Sequence, residues 1–367
     1  MKKFAALILA LALVLAMATC AVAEEAMRVA MITDYGDITD QSFNQTTYEA
    51  CKAYCEANNV DFNYFKPAGD STAERVAMVE SAIDEGYNVI VMPGYAFGGT
   101  IAEVQDIYPE VKFVALDVSE GDLGGAALAD NVYCAVYQEE LCGYMAGYAA
   151  VKLGYKHLGY LGGMAVPAVI RFGYGFVQGA NAAAEADGVE GVKIEWVYGN
   201  QFFGDADITA YMDNWYQTKG VECVFACGGG IYTSAGEAAA KVGGKVIGVD
   251  VDQAPIIDGM YGEGMTVTSA MKGLAATVNT MLSEIAAGNF ANYGGKVETL
   301  GLIGEDPEAN YVQIPASTQW GDNFTQEDYA KLVADMFNGV ITVSNDITAT
   351  PDSFATAIEL EDYGNSK

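Results

Sequence analysis

Residues 32–50, ITDYGDITDQSFNQTTYEA, carry three carboxylates at intervals of three, Asp34, Asp37 and Asp40. Ser42, Phe43, Asn44 and Gln45 follow directly, and then a helix-like run begins. Three chemistries are open to such a set: a metal site, a catalytic carboxylate pair, or a ligand pocket. Asp37 and Asp40 also fit the plain role of turn and cap acids at a helix start. Asp34 closes the apolar run at 28–33 and is expected to face a pocket.

The rest of the chain narrows the choice. A hydrolytic calcium loop of the nucleoside hydrolase kind sets adjacent aspartates around a Pro-Gly turn. This stretch has neither the proline nor the pairing, which disfavours calcium-dependent nucleoside hydrolysis. His157 is the only histidine. It precedes a strand-like run and reads as a surface or strand-edge residue, so neither a Ser-His-Asp site nor a histidine zinc cluster has its parts. GGGIYTSAGEA (228–238) places glycines before a helix but lacks the lysine of a triphosphate loop and the dinucleotide spacing. Glycines there let a backbone approach a ligand closely. No catalytic residue, cofactor or metal is expected.

The chain has 367 residues and a formal charge of −31. Its start, MKKFAALILALALVLAMATCAVAEEA, reads as a targeting segment: two lysines, then an apolar run too short to span a bilayer. Ala21-Val22-Ala23 forms a small-x-small cleavage site, so 1–23 is read as a signal peptide. Met17-Ala18-Thr19-Cys20 is a lipobox-like alternative weakened by Thr19. The product is expected to be exported, to a periplasm or the outer face of the cell membrane, free or lipid-tethered at Cys20. Removal of Lys2 and Lys3 takes the charge to −33. A surface this acidic repels nucleic acid and anionic lipid. Six further cysteines form no framework. Cys51 and Cys55 fall four apart on a helix, and Cys223 and Cys227 are separated by ~13 Å of strand, too far for a bridge. They read with Cys134 and Cys142 as buried thiols.

The elements that must carry these residues alternate. Apolar strand-like runs at 28–33, 60–65, 87–94 and 111–117 are separated by amphipathic helices at 46–58, 71–85 and 99–108. The Ser71/Glu74 pair forms a capping box. The rhythm restarts near Asn131: a helix at 138–153, strands at 157–163, 192–198, 221–230 and 245–250, and helices at 172–186, 207–219 and 234–242 between them. A strand turns into a helix at 265–274, and a last helix covers 325–338. This βαβα order implies two α/β units with parallel sheets. We expect one lobe from 28–131 plus about 268–290, a second from 132–267 plus about 297–345, and a tail at 346–367. In open parallel sheets ligands bind beyond the carboxyl ends of the strands. The residues there are Asp34 to Gln45, Pro93 to Phe97, Asp117, Gly162 to Met164, Tyr198 to Phe203, Gly228 to Gly230, Asp250 and Ser269 to Lys272. The set is aromatic, glycine-rich and acidic with one cation, suited to a flat, neutral, hydroxyl-bearing ligand.

These motifs resemble a known family. DYGDITDQSFNQ is similar to the signature of the basic-membrane-protein (Bmp/PnrA-type) substrate-binding proteins, which serve ABC transporters for purine nucleosides. AFGGTIAEVQDIYPEVKFVALD, NVYCAVYQEELCGYMAGYAA, LGYLGGMAVPAVIRFGYGFVQGA, VIGVDVDQ and VTSAMK extend the resemblance over about 28–345. It implies a type I periplasmic-binding-protein fold, two Rossmann-like lobes joined by a multi-strand hinge and closing on the ligand.

Carried over by position, Phe43 would stack on the base, with Phe203, or failing that Phe202, on the other face. Asn44 would bond the base edge, with Ser42 and Asp34 beside it. Glu139 would be the base-recognising acid. Asp250 would accept ribose hydroxyls, and Lys272 with the Gly228-Gly229 backbone would complete the sugar site. Tyr133-Cys134 and Ala226-Cys227 depart from the pattern next to pocket positions. The implied partners are a purine nucleoside (inosine, guanosine or adenosine) and an ABC permease, with the protein a monomer. The competing reading keeps the fold but assigns a sugar or another polar solute.

Overall fold

A computed structural model describes residues 26–366. The expected signal peptide and Cys20 lie outside the described residues. Val89–Pro93 (β3) and Cys223–Cys227 (β8) are buried along their whole length. Such strands read as continuous apolar runs because parallel sheets are covered on both faces.

The chain makes two sheets. The first contains Arg28–Ile32 (β1), Asp61–Phe65 (β2), β3, Lys112–Leu116 (β4), Val132–Tyr137 (β5) and Lys296–Leu300 (β11), in the order β11-β5-β4-β3-β1-β2. The second contains His157–Gly162 (β6), Lys193–Tyr198 (β7), β8, Lys245–Asp250 (β9), Thr266–Lys272 (β10), Val312–Gln313 (β12) and Glu359–Asn365 (β13), in the order β12-β10-β9-β8-β6-β7-β13. Every pair is parallel except β10 with β12. Each sheet thus repeats one order, with the first and third strands adjacent. That arrangement leaves a crevice at the carboxyl ends.

The helices are Phe43–Asn58 (α1), Thr72–Asp84 (α2), Phe97–Val104 (α3), Glu139–Lys152 (α4), Pro167–Asp187 (α5), Ala206–Asp213 (α6), Tyr232–Ala240 (α7), Ala254–Tyr261 (α8), Leu274–Ala286 (α9) and Gln326–Phe337 (α10). α2 starts as its sequence says, with the Ser71 hydroxyl accepting from Glu74 N.

The lobe boundaries differ from those expected at four places, one being Lys296–Leu300, expected in the second lobe from about 297 but paired with β5 in the first sheet. Val132–Tyr137 extends the first sheet instead of opening the second, because it pairs with both β4 and β11. Thr266–Lys272 belongs to the second sheet, and only the helix after it, α9, returns to pack on α1 of the first lobe. The segment 346–366 is not a loose tail: β13 pairs with β7. The chain therefore crosses between lobes near Gln138, near Gly273 and along 301–311. The crossings are tied together, since Tyr137 Oη donates to Thr277 Oγ1 (2.8 Å) and Gln138 N donates to Leu300 O (2.9 Å).

β13 is held from below by Glu195, a fully buried carboxylate on β7. Its oxygens meet His157 Nε2 at 3.0 Å, Lys193 Nζ at 2.9 Å, Lys219 Nζ at 2.8 Å and the Tyr363 hydroxyl at 2.5 Å. His157 is thus a strand-edge residue in an ion-pair cluster. The six cysteines of the described residues are all buried and unpaired.

Candidate functional site

The acidic turn after β1 assembles itself from backbone bonds. The Asp34 carboxylate accepts from Tyr35 N (2.7 Å) and Gly36 N (2.6 Å), closing an Asx-type turn. Burial pushes its pKa up, and those backbone donors oppose the rise. Asp40 caps α1: its oxygens accept from Ser42 N (2.9 Å), Asn44 N (2.9 Å) and Gln45 N (3.0 Å). A carboxylate there answers the unpaired amides and the helix dipole. Asp37 faces outward and pairs with Lys66 at 2.8 Å. Among the described residues no group of acids, cysteines and histidine is arranged to hold a metal ion.

With Asp40 as the cap, Ser42 is released from that task. Its hydroxyl crosses to the second lobe and donates to Asp250 Oδ2 at 2.6 Å. Asn44 is buried, and its Nδ2 donates to Asp40 Oδ2 (3.2 Å). The amide fits only because Gly36 has no Cβ, which would lie 2.3 Å from Asn44 Nδ2.

Between the lobes lies a cavity of about 500 Å³. Its polar end is built on Lys272, the last residue of β10. The side chain is 2 % exposed, and its Nζ lies 2.6 Å from Asp117 Oδ2, 3.5 Å from Glu139 Oε1 and 3.7 Å from Asp250 Oδ1. The ammonium also sits over Phe43, 4.9 Å from the ring centroid, and over Phe172 and Tyr137 at 5.4 and 5.5 Å. Burial alone would lower the pKa of Lys272, but Asp117, Asp250 and Glu139 outweigh it and drive the value up. Burial pushes Asp117 up to about 6 even though Lys272 pulls it down. Asp117 and Asp250 both hold left-handed backbone, φ 59° and 66°. Aspartate tolerates that region better than most residues, though still at a cost.

Arg171, from the first turns of α5, adds a second cation. It lines the cavity, and its Nε donates to Glu139 Oε2 at 2.6 Å. Burial opposes its charge, and the Glu139 carboxylate more than restores it.

The other end of the cavity is aromatic. Phe202 stacks on Tyr35 across the cleft with ring centroids 6.4 Å apart. It rests on glycine backbone: a Cβ at Gly163 would lie 2.3 Å from the Phe202 ring, and one at Gly228 would lie 3.0 Å from it. Phe203 also lines the cavity, and the residue is 59 % exposed.

Of the residues expected from the sequence, Asp34, Phe43, Asn44, Phe203, Gly228, Gly229, Asp250 and Lys272 line this one cavity. Two do not. Ser42 stands one layer back, bonded to Asp250. Glu139, expected to read the base, is fully buried behind Lys272 and Arg171, so it meets the two cations and not the open space. Among the lining residues given no role were Tyr35, Asp117 and Arg171. Asp117 had a signal, since it ends a strand as Asp250 does. Arg171 had a fainter one, as one of only three arginines in the chain, set in an otherwise apolar helix.

The family described as ABC transporter substrate-binding protein PnrA-like (Bmp) matches residues 27–335. An ABC transporter nucleoside-binding protein, BmpA, of Lactococcus lactis subsp. cremoris is 26 % identical over 339 residues, covering 86 % of this chain and 89 % of the relative. A CD4+ T-cell-stimulating antigen of Listeria innocua is 28 % identical over 287 residues, 74 % of this chain and 76 % of that protein. Among solved structures, an ABC transporter solute-binding protein of Aeropyrum pernix superposes with a TM-score of 0.65 at 22 % identity, covering 90 % of each chain. One from Conexibacter woesei gives 0.67 at 21 %, covering 87 % of this chain and 99 % of that one. These superpositions establish the solute-binding-protein fold.

Proposed function

This chain belongs to the Bmp family of PnrA-like ABC transporter substrate-binding proteins, and on that premise we propose that its cavity captures a purine nucleoside and delivers it to a membrane permease. The observation that carries the reading is a single cavity with the Phe202 and Phe203 rings at one end, a charged, acid-rich cluster at the other, and the Phe43 ring against that cluster. Phe43, Phe202 and Phe203 offer faces to a planar heterocycle, and base–aromatic stacking contributes ~1–3 kcal/mol per base. Asp117 and Asp250 offer carboxylate oxygens beside Lys272. Vicinal hydroxyls bonded to such carboxylates gain ~1.5–3 kcal/mol each. A volume of about 500 Å³ lies within the ~300–1,000 Å³ common for small-ligand sites.

On this reading the site performs no chemistry, and the protein works outside the cytoplasm. The relative BmpA carries a nucleoside-binding name, which agrees with it. Titration calorimetry with inosine, guanosine, adenosine and ribose tests it. With two stacks of ~1–3 kcal/mol each, nucleosides should bind at least about 30-fold more tightly than ribose. Ribose binding as tightly as inosine would discard the base platform and leave a sugar receptor.

A further inference from the structure

Glu139 is the first residue of α4, immediately after the crossing at Gln138. It is fully buried and does not line the cavity. Its two oxygens are divided between the two cations that do. Oε2 accepts from Arg171 Nε at 2.6 Å, and Oε1 lies 3.5 Å from Lys272 Nζ. Arg171 has five N–H donors, and among the described residues only Nε has a hydrogen-bond partner. The guanidinium is therefore fixed at its stem with its outer donors free for the cavity.

The helices carrying this pair are pressed together unusually closely. A Cβ at Gly143 or Gly147 of α4 would lie 2.2 or 2.1 Å from the carbonyl oxygens of Phe172 or Phe176 on α5. From the other side, a Cβ at Gly175 or Gly179 would lie 2.1 or 2.0 Å from the carbonyl oxygens of Glu140 or Tyr144. Only glycine permits that approach. The result is a rigid α4–α5 pair that sets the separation of Glu139 and Arg171 without help from a ligand.

We infer that Glu139 is a positioning residue, whose carboxylate aims the Arg171 guanidinium and the Lys272 ammonium at an oxygen-rich part of the ligand, and that Arg171 is a further ligand contact. The surrounding chemistry names that part. Arg171 and Lys272 only donate, whereas Asp117 and Asp250 only accept when ionised. A hydroxyl does both, so a polyol face placed among them satisfies every group, and a carbonyl or ether oxygen satisfies only the cations. The inference rests on the nucleoside reading for the identity of the polyol, but not for the geometry of the three side chains.

The test has two arms. In the ligand-free protein, a ¹H–¹⁵N spectrum should show a protected, downfield Arg171 Nε–H resonance that Glu139→Gln shifts and that Lys272→Met leaves in place. In the binding arm, calorimetry compares inosine with the free base hypoxanthine in the wild type, Glu139→Gln, Lys272→Met, Arg171→Met and the doubles. Contacting charged residues couple strongly, so Glu139→Gln should weaken inosine about 10-fold or more. It should change the free base less than about threefold, and add less than about threefold in an Arg171→Met/Lys272→Met background. Equal losses for inosine and free base, or full additivity in that background, would overturn the positioning role. So would an unmoved Arg171 resonance in Glu139→Gln. If the wild type takes up no nucleoside, the nucleoside reading falls, and the spectrum alone then decides for or against Glu139.

Discussion

Lys272→Met removes the cation that buried Glu139 and Asp250 and half-buried Asp117 share, at 3.5, 3.7 and 2.6 Å. The three are not left equal. Glu139 keeps Arg171, and Asp250 keeps the Ser42 hydroxyl. Asp117 keeps nothing, because its Oδ1 has no hydrogen-bond partner even before the substitution. Breaking a buried pair by removing one partner costs about 3–5 kcal/mol, and here Asp117 bears most of it. The alternative open to Asp117 is a proton. Burial already pushes it up to about 6 against the pull of Lys272, so without Lys272 it titrates higher still.

The direction of the pH dependence follows. A carboxyl whose pKa is higher in the folded chain than the unfolded value of about 3.9 holds its proton more tightly when folded. Its stabilising contribution is complete at low pH and is lost as pH climbs through the folded value, at about 1.4 kcal/mol per unit. For the wild type that loss ends just above pH 6. For Lys272→Met it continues beyond. The gap between the two proteins should therefore widen from pH 6.5 upward, by about 1.4 kcal/mol per unit until the new pKa is passed. Urea denaturation followed by tryptophan fluorescence at pH 5.5, 6.5, 7.5 and 8.5 measures it. Adding Asp117→Asn should close most of the gap, since the orphaned charge is gone. A variant within about 1 kcal/mol of wild type, or a gap independent of pH, would refute the claim that Lys272 neutralises this cluster.

The aromatic wall and the β13 anchor make further tests. Phe203→Ala should lower nucleoside affinity by ~1–3 kcal/mol with no change in thermal stability, because the residue is 59 % exposed. Phe202→Ala should lower both, because that ring packs on Gly163, Gly228 and Tyr35; calorimetry beside a melting curve separates them. Glu195 has its pKa pulled down to about 2, because the hydrogen bonds from Lys219, Tyr363, Lys193 and His157 outweigh the effect of burial. A depressed carboxylate stabilises above its unfolded pKa and loses that contribution as pH falls. Wild type should therefore shed about 3 kcal/mol between roughly pH 4.5 and 2, a segment that Glu195→Gln should lack in an acid denaturation series.

The sequence was most informative where burial was most complete. KVIGVD and the apolar runs around β3 and β8 announced themselves because strands covered on both faces must be apolar throughout. KVETL (β11) and ELEDYGN (β13) gave no such signal. Neither has a buried residue, and they are strands because β5 and β7 offer them open ladders, a property of the neighbour and not of their own pattern. The site divides in the same way. Asp34, Gly228, Asp250 and Lys272 were legible because they follow buried strands whose ends can be counted. Arg171 was not, because it reaches the cavity from a helix. The orientation of Glu139 was hidden too, because it depends on how closely α4 approaches α5, and that is set by four glycines one and two turns further along.

The repeated strand order gives the cluster its logic. β4 and β9 hold the same place in their two sheets, and Asp117 and Asp250 end them with the same left-handed turn. Lys272 belongs to the second sheet, so its bond to Asp250 stays within one lobe while its bond to Asp117 crosses the cleft. Ser42 to Asp250 and Gln253 Nε2 to Gln41 O (3.1 Å) also cross it. The Ser42 and Gln253 bridges are ordinary hydrogen bonds, and water can replace both when the lobes part, which keeps their net contribution to closure small. Tyr35 on Phe202 is the cross-cleft ring contact, and at 6.4 Å between centroids it is near the outer limit of ring stacking. On the nucleoside reading, a base between Phe43 and the Phe202–Phe203 wall would add apolar contact with both lobes. A nucleoside would therefore favour the closed state by the amount that its base is buried, whereas a bare sugar, meeting only groups that water already serves, would shift the lobes far less.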